Sequence, residues 1–67
     1  MLTKRSFSLA GHRTSVALEA EFWDVLTALA AARGLTLAAL IVEIDAVRPP
    51  ERPLASALRV FALQARR

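Results

Sequence analysis

Arg13-Thr14-Ser15-Val16-Ala17-Leu18 alternates with a period of two and is rich in residues that favour extended backbone. On a strand, Thr14, Val16 and Leu18 fall on one face and Arg13, Ser15 and Ala17 on the other. One face is apolar and one is mostly polar. A strand of this kind has a core to cover and a surface to present.

Downstream the period changes to helical. A helix begins near Glu19 to Glu21, where Glu19, Glu21 and Asp24 suit the positive end of the helix dipole. Phe22, Leu26, Leu29 and Ala30 follow at helical spacing, with Trp23 beside them, and Arg33-Gly34 reads as the end. Thr36 caps a second helix whose apolar stripe is Leu37, Leu40, Ile41 and Ile44. It runs to about Val47, and Pro49-Pro50 stop it. A third helix spans about 53–66, with Pro53 in its first turn and Leu54, Leu58, Phe61 and Ala65 on its inner face. Val60 and Leu63 make a second side of it apolar. Upstream, residues 1–11 read as a basic arm in which Ser6-Phe7-Ser8-Leu9 can form a short strand, and Ala10-Gly11 as a turn or break. The remaining domain covers 12–67. The expected class is mainly α, with one strand and three helices.

The chain has 67 residues, which allows one small domain. A core of that size rarely supplies more than about 3–5 kcal/mol unless something else helps. Cysteine is absent and there is one histidine, which excludes a disulfide and argues against a structural zinc site. Oligomerisation is left, and a 55% hydrophobic composition with mean hydropathy +0.41 agrees with it. A lone strand also leaves its backbone groups unpaired. A two-fold homodimer, with the strand antiparallel to its own copy, satisfies them. Ser6 to Leu9 is the other candidate partner, in a hairpin that would be marginal alone. In the dimer, Val16, Leu18, Phe22, Trp23, Leu26, Leu40, Ile41 and Ile44 form the shared core.

Membrane spans need about 20 apolar residues. The stretch from Gly34 to Val42 is far shorter and ends at Glu43 and Asp45. Lys4 and Arg5 resemble the start of a signal peptide, but Gly11, His12 and Arg13 interrupt any apolar segment. A cytoplasmic location is expected. No catalytic constellation, metal site or cofactor motif is found: Glu43 and Asp45 point in different directions on a helix, and Gly11 and Gly34 build no phosphate loop. No enzymatic activity is expected.

The formal charge is +3 and the isoelectric point about 11.2. Lys4, Arg5, His12 and Arg13 precede the first helix, and Arg66 and Arg67 end the chain. Such ends point to a polyanionic partner. A two-stranded ribbon fits the major groove of B-DNA.

An outward-polar strand running into a helix, then a glycine, then a Thr-capped helix resembles the Arc/MetJ/CopG ribbon–helix–helix superfamily over about Arg13 to Val47. The segments from Ala10 to Glu19 and from Arg33 to Leu37, with Ile44-Asp45, are similar to a bacterial subfamily of small stand-alone ribbon–helix–helix proteins. The resemblance implies that the strand reads bases through Arg13, Ser15 and Ala17. Arginine can bond guanine in bidentate fashion and serine can bond several base edges. Ala17 departs from the usual polar residue and offers only a methyl contact. The start of the second helix, at Thr36 with the amides of Leu37 and Ala38, would hold a phosphate, and Lys4, Arg5 and His12 would add phosphate contacts. The implied function is a bacterial transcriptional regulator binding DNA as a homodimer. The alternative is an antitoxin-like or adaptor module whose apolar third helix binds a protein or builds a tetramer.

Overall fold

The computed structural model describes residues 1–65; Arg66 and Arg67, the basic tail, lie outside them. Strand β1 (Leu2–Leu9) and strand β2 (His12–Glu19) form an antiparallel hairpin. Helices α1 (Ala20–Ala32), α2 (Leu37–Val47) and α3 (Leu54–Ala65) follow. The mainly α class expected from the sequence stands, with strand–helix–helix–helix order after Gly11.

The N-terminal segment departs from the expected arm. All of Leu2–Leu9 is strand, not only Ser6 to Leu9. Ala10 and Gly11 form a two-residue turn with φ of 52° and 81°. Positive φ at both central positions matches the twist of a hairpin. β2 therefore has a strand partner within its own chain. β1 occupies one edge of β2, so the expected pairing with a second copy is left to the other edge, which no strand among the described residues covers.

Phe7 and Leu9 of β1 join Val16 and Leu18 of β2 on the buried face of the hairpin. On α1, Trp23, Leu26 and Ala30 recur at helical spacing and are buried. The helix ends in a Schellman turn: the Leu35 amide donates to the Ala30 carbonyl at 2.8 Å and the Gly34 amide to Ala31 at 3.0 Å. Gly34 takes φ of 70°, which glycine adopts without steric cost. α1 and α2 then turn by 97° from one another. Thr36 caps α2, its Oγ1 accepting from the Ala39 amide at 3.0 Å. Arg48 is extended ahead of Pro49, as the proline ring demands, and the helix stops there. The Pro53 carbonyl accepts from the Ala57 amide at 3.0 Å and so opens α3.

Leu40, Ile41 and Ile44 from α2 meet Ala57, Leu58 and Ala62 from α3 in the same core. Leu18, Leu26, Leu40, Ile41 and Leu58 are wholly buried within the one chain. Each such side chain is worth about 1.5–3 kcal/mol of burial. The set expected to form a shared dimer core is thus packed inside a single protomer, apart from Phe22, which is half-buried at its edge. β1 and α3 pack over these residues within the chain. Most of the apolar face of α3 is used in this way; Leu63 remains 61% exposed. Among the described residues, no single helix is long and apolar enough to cross a membrane.

Candidate nucleic-acid interface

The hairpin register fixes which side chains share its outer face. Lys4 stands opposite Ala17, Ser6 opposite Ser15, and Ser8 opposite Arg13. Partners in register lie on the same side of the sheet, so these six project together, away from the core. All but the half-buried Ala17 are exposed. The Ser6 and Ser15 hydroxyls are 2.9 Å apart in a mutual hydrogen bond. Four residues of strand rise separate Lys4 from Ser8 and its partner Arg13, about 13 Å.

Neither Lys4 nor Arg13 forms an ion pair among the described residues, whereas Arg33, Arg48 and Arg59 each hold a carboxylate. The one acid of the outer face, Glu19, stands at its far end opposite Leu2. Its Oε1 accepts from Arg59 Nε at 3.1 Å and lies 3.0 Å from Nη2. The hydrogen bond to its own backbone amide, and then the Arg59 guanidinium, hold its carboxyl below the usual carboxylate range. That pairing blunts the only negative charge on the face.

Arg5 goes elsewhere. Its strand parity places it beneath the hairpin, opposite Val16. Its guanidinium carbon lies 5.3 Å from the centre of the Trp23 ring, a cation–π arrangement. Phe7 packs on the same ring at 5.8 Å between centroids. The indole Nε1 donates to the Thr3 carbonyl at 2.7 Å, tying β1 down from below. His12 lies beside the turn, exposed, opposite Leu9. The structure therefore gathers Lys4, Arg13, Ser15 and Ala17 on one face and separates Arg5 from them.

Thr36, Leu37 and Ala38 stand at the start of α2. Thr36 is exposed, Leu37 is packed against the core and Ala38 is exposed. The Leu37 and Ala38 amides precede any intrahelical partner. Among the described residues no hydrogen bond links this helix end to the outer face of the hairpin.

Sequence reasoning assigned no role to Ser6 and Ser8. The alternation of Ser6-Phe7-Ser8-Leu9 carried the signal, since burying Phe7 and Leu9 turns both serines outward.

A ribbon–helix–helix domain model matches residues 2–65. The chain belongs to the ribbon–helix–helix family. The match takes in β1 as well as the segment from Arg13 to Val47 on which the resemblance rested, so the first strand and α3 are parts of this ribbon–helix–helix domain. No curated protein and no solved structure matches the chain. Ribbon–helix–helix domains typically dimerise and bind DNA.

Proposed function

We propose that this ribbon–helix–helix protein is a bacterial transcriptional regulator that binds DNA as a homodimer, with the outer face of its hairpin in the major groove. The observation that carries the reading is the contrast between the two faces of the hairpin. The inner face is spent on the core, while the outer face is exposed and polar, with two cations that have no carboxylate partner among the described residues. A two-stranded ribbon has the width to enter the groove, and arginine and serine are suited to base edges there. Arg13 and Ser15 make the base contacts, Ala17 contributes a methyl contact, and Lys4 engages a phosphate. Thr36 and the amides of Leu37 and Ala38 hold a second phosphate, for reasons of helix dipole and unpaired N–H groups. Self-association draws support from the apolar surface left over: Val47 is 82% exposed, and Phe22, Val25 and Leu63 line a groove between α1 and α3.

Fluorescence anisotropy with labelled duplexes at two salt concentrations tests the reading. Affinity should fall steeply with salt, because bound phosphates release counterions. Arg13→Ala should leave the fold intact and lose most of the preference for a cognate over a scrambled duplex, about 1–3 kcal/mol of discrimination. Binding that is absent at low salt rejects the DNA reading and leaves an apolar protein-interaction module in its place.

A further inference from the structure

We infer that Arg59 of α3 is a positioning residue for DNA binding: it engages and neutralises the Glu19 carboxylate, so that Lys4 stays free and the outer face of the hairpin meets the duplex without a bare negative charge. The inference rests on the DNA-binding reading above and extends it to a side chain of α3, outside the hairpin.

The register sets the problem. Glu19 stands two residues beyond Ala17, the cross-strand partner of Lys4. Side chains in that diagonal relation start about 7–8 Å apart, a gap that a lysine and a glutamate can bridge. A free carboxylate at Glu19 would act against binding in two ways. It would draw the Lys4 ammonium into an ion pair, and it would repel a phosphate approaching that end of the face. In the folded chain Lys4 has no ion pair among the described residues, and Glu19 is held by Arg59 instead. Its Oε1 lies 3.1 Å from Arg59 Nε and 3.0 Å from Nη2.

Arg59 is itself set in place. Its guanidinium carbon lies 5.7 Å from the centre of the Phe22 ring. Phe22 follows Glu19 by three residues, so ring and carboxylate stand on one side of the start of α1. The guanidinium spans both. Stacking on the ring and two donors on one oxygen fix the plane of the fork. Arg33–Glu43 links α1 to α2, and Arg48–Asp45 lies within one turn. Arg59–Glu19 is the one ion pair among the described residues that reaches the hairpin, and it crosses 40 positions of chain.

A plain staple between α3 and the hairpin is the competing role. The two side chains are 33% and 41% exposed, and pairs that exposed contribute little to stability. Their effect on a polyanion is different in kind. A charge at the edge of the ribbon acts on every phosphate within a Debye length, about 10 Å at 0.1 M salt. α3 thus serves the ribbon twice: its inner face closes the core, and Arg59 corrects the charge of the outer face.

The test is a mutant cycle on DNA affinity. Wild-type protein first selects its best duplex from a randomised pool. The Kd for that duplex is then measured by fluorescence anisotropy at low and at higher salt for Arg59→Ala, Glu19→Gln and the double variant. Arg59→Gln, which keeps much of the stem over Phe22, is measured beside Arg59→Ala to separate lost packing from lost charge. Circular dichroism confirms that each protein is folded. Both Arg59 variants should weaken binding about three-fold or more at low salt, the effect of one unit charge about 7 Å from another in water. The loss should shrink as salt rises. Glu19→Gln should bind at least as tightly as wild type. In the Glu19→Gln background Arg59→Ala should change Kd by less than about two-fold, since no carboxylate is left to hold. If Arg59→Ala weakens binding equally in both backgrounds, Arg59 acts on the duplex by itself and the inference is overturned. Arg59 variants that bind like wild type overturn it too, and in both cases the DNA-binding reading stands. If wild type shows no salt-dependent binding, the DNA-binding reading falls and takes the inference with it.

Discussion

Ser6 and Ser15 meet across the exposed side of the hairpin, with their hydroxyl oxygens 2.9 Å apart. Cross-strand hydroxyl pairs of this kind stabilise a sheet by about 0.2–1 kcal/mol. Ser6→Ala, Ser15→Ala and the double variant should therefore form a thermodynamic cycle with a coupling energy in that range, read from urea denaturation. Strict additivity of the two single changes would show that the rung contributes nothing to stability.

The turn offers a stabilising change. Ala10 holds φ of 52°, a conformation that a Cβ disfavours by about 1–2 kcal/mol. Asparagine tolerates it far better, and Asn-Gly is the favoured pair in such turns. Ala10→Asn should raise the melting temperature; a gain of about 0.5–1 kcal/mol corresponds to several degrees in a domain of this size. A lowered melting temperature would contradict the positive φ at this position.

Trp23 joins the hairpin to α1 through one hydrogen bond and two ring contacts. Trp23→Phe keeps an aromatic ring but removes the donor from the Thr3 carbonyl. A polar group left without its partner at a part-buried site costs about 1–3 kcal/mol. That is a large share of the stability of a domain this small. Denaturation followed by circular dichroism should show the loss, and Trp23→Phe with a wild-type midpoint would mean that the bond holds nothing together.

Glu19 gives a pH signature. Its carboxyl sits below the usual carboxylate range because its own amide and Arg59 favour the charged form. A depressed folded value means that the contribution is complete above the unfolded pKa of about 4.3 and is lost as pH falls through the lower folded value. The gap in urea midpoint between wild type and Glu19→Gln should be widest near neutrality and close in strong acid. The pair is partly exposed, so added salt should shrink the gap as well. A gap that widened on acidification would reverse the sign and exclude this pairing.

Much of this fold is written in local sequence. Thr36 at the head of an apolar stripe, Gly34 after Arg33, and Pro49 after Arg48 mark helix ends through φ restrictions and hydrogen-bonding needs that act over a few residues. The inward and outward faces of β2 follow from period-two alternation for the same reason. The first half of β1 does not announce itself. Thr3, Lys4 and Arg5 are polar on both strand faces, because the inward Arg5 is accommodated by the Trp23 ring, 18 positions further along the chain. Periodicity also shows which side chains are buried without showing what buries them. Leu18, Leu26 and Leu40 could be read as a core shared by two chains, yet β1 and α3 close over them within one. The outer face was legible on β2 through Arg13 and Ser15. Its other half waited on the register, which depends on a turn two residues long.

That short turn also sets how the molecule folds. Strands joined by two residues find each other in about 1–10 μs, long before typical association of two proteins at micromolar concentration. Sheet formation here is a first-order event, and its rate constant should not change with protein concentration. A freshly synthesised copy can therefore present a finished hairpin to the second chain it meets, so assembly joins preformed sheets rather than single strands.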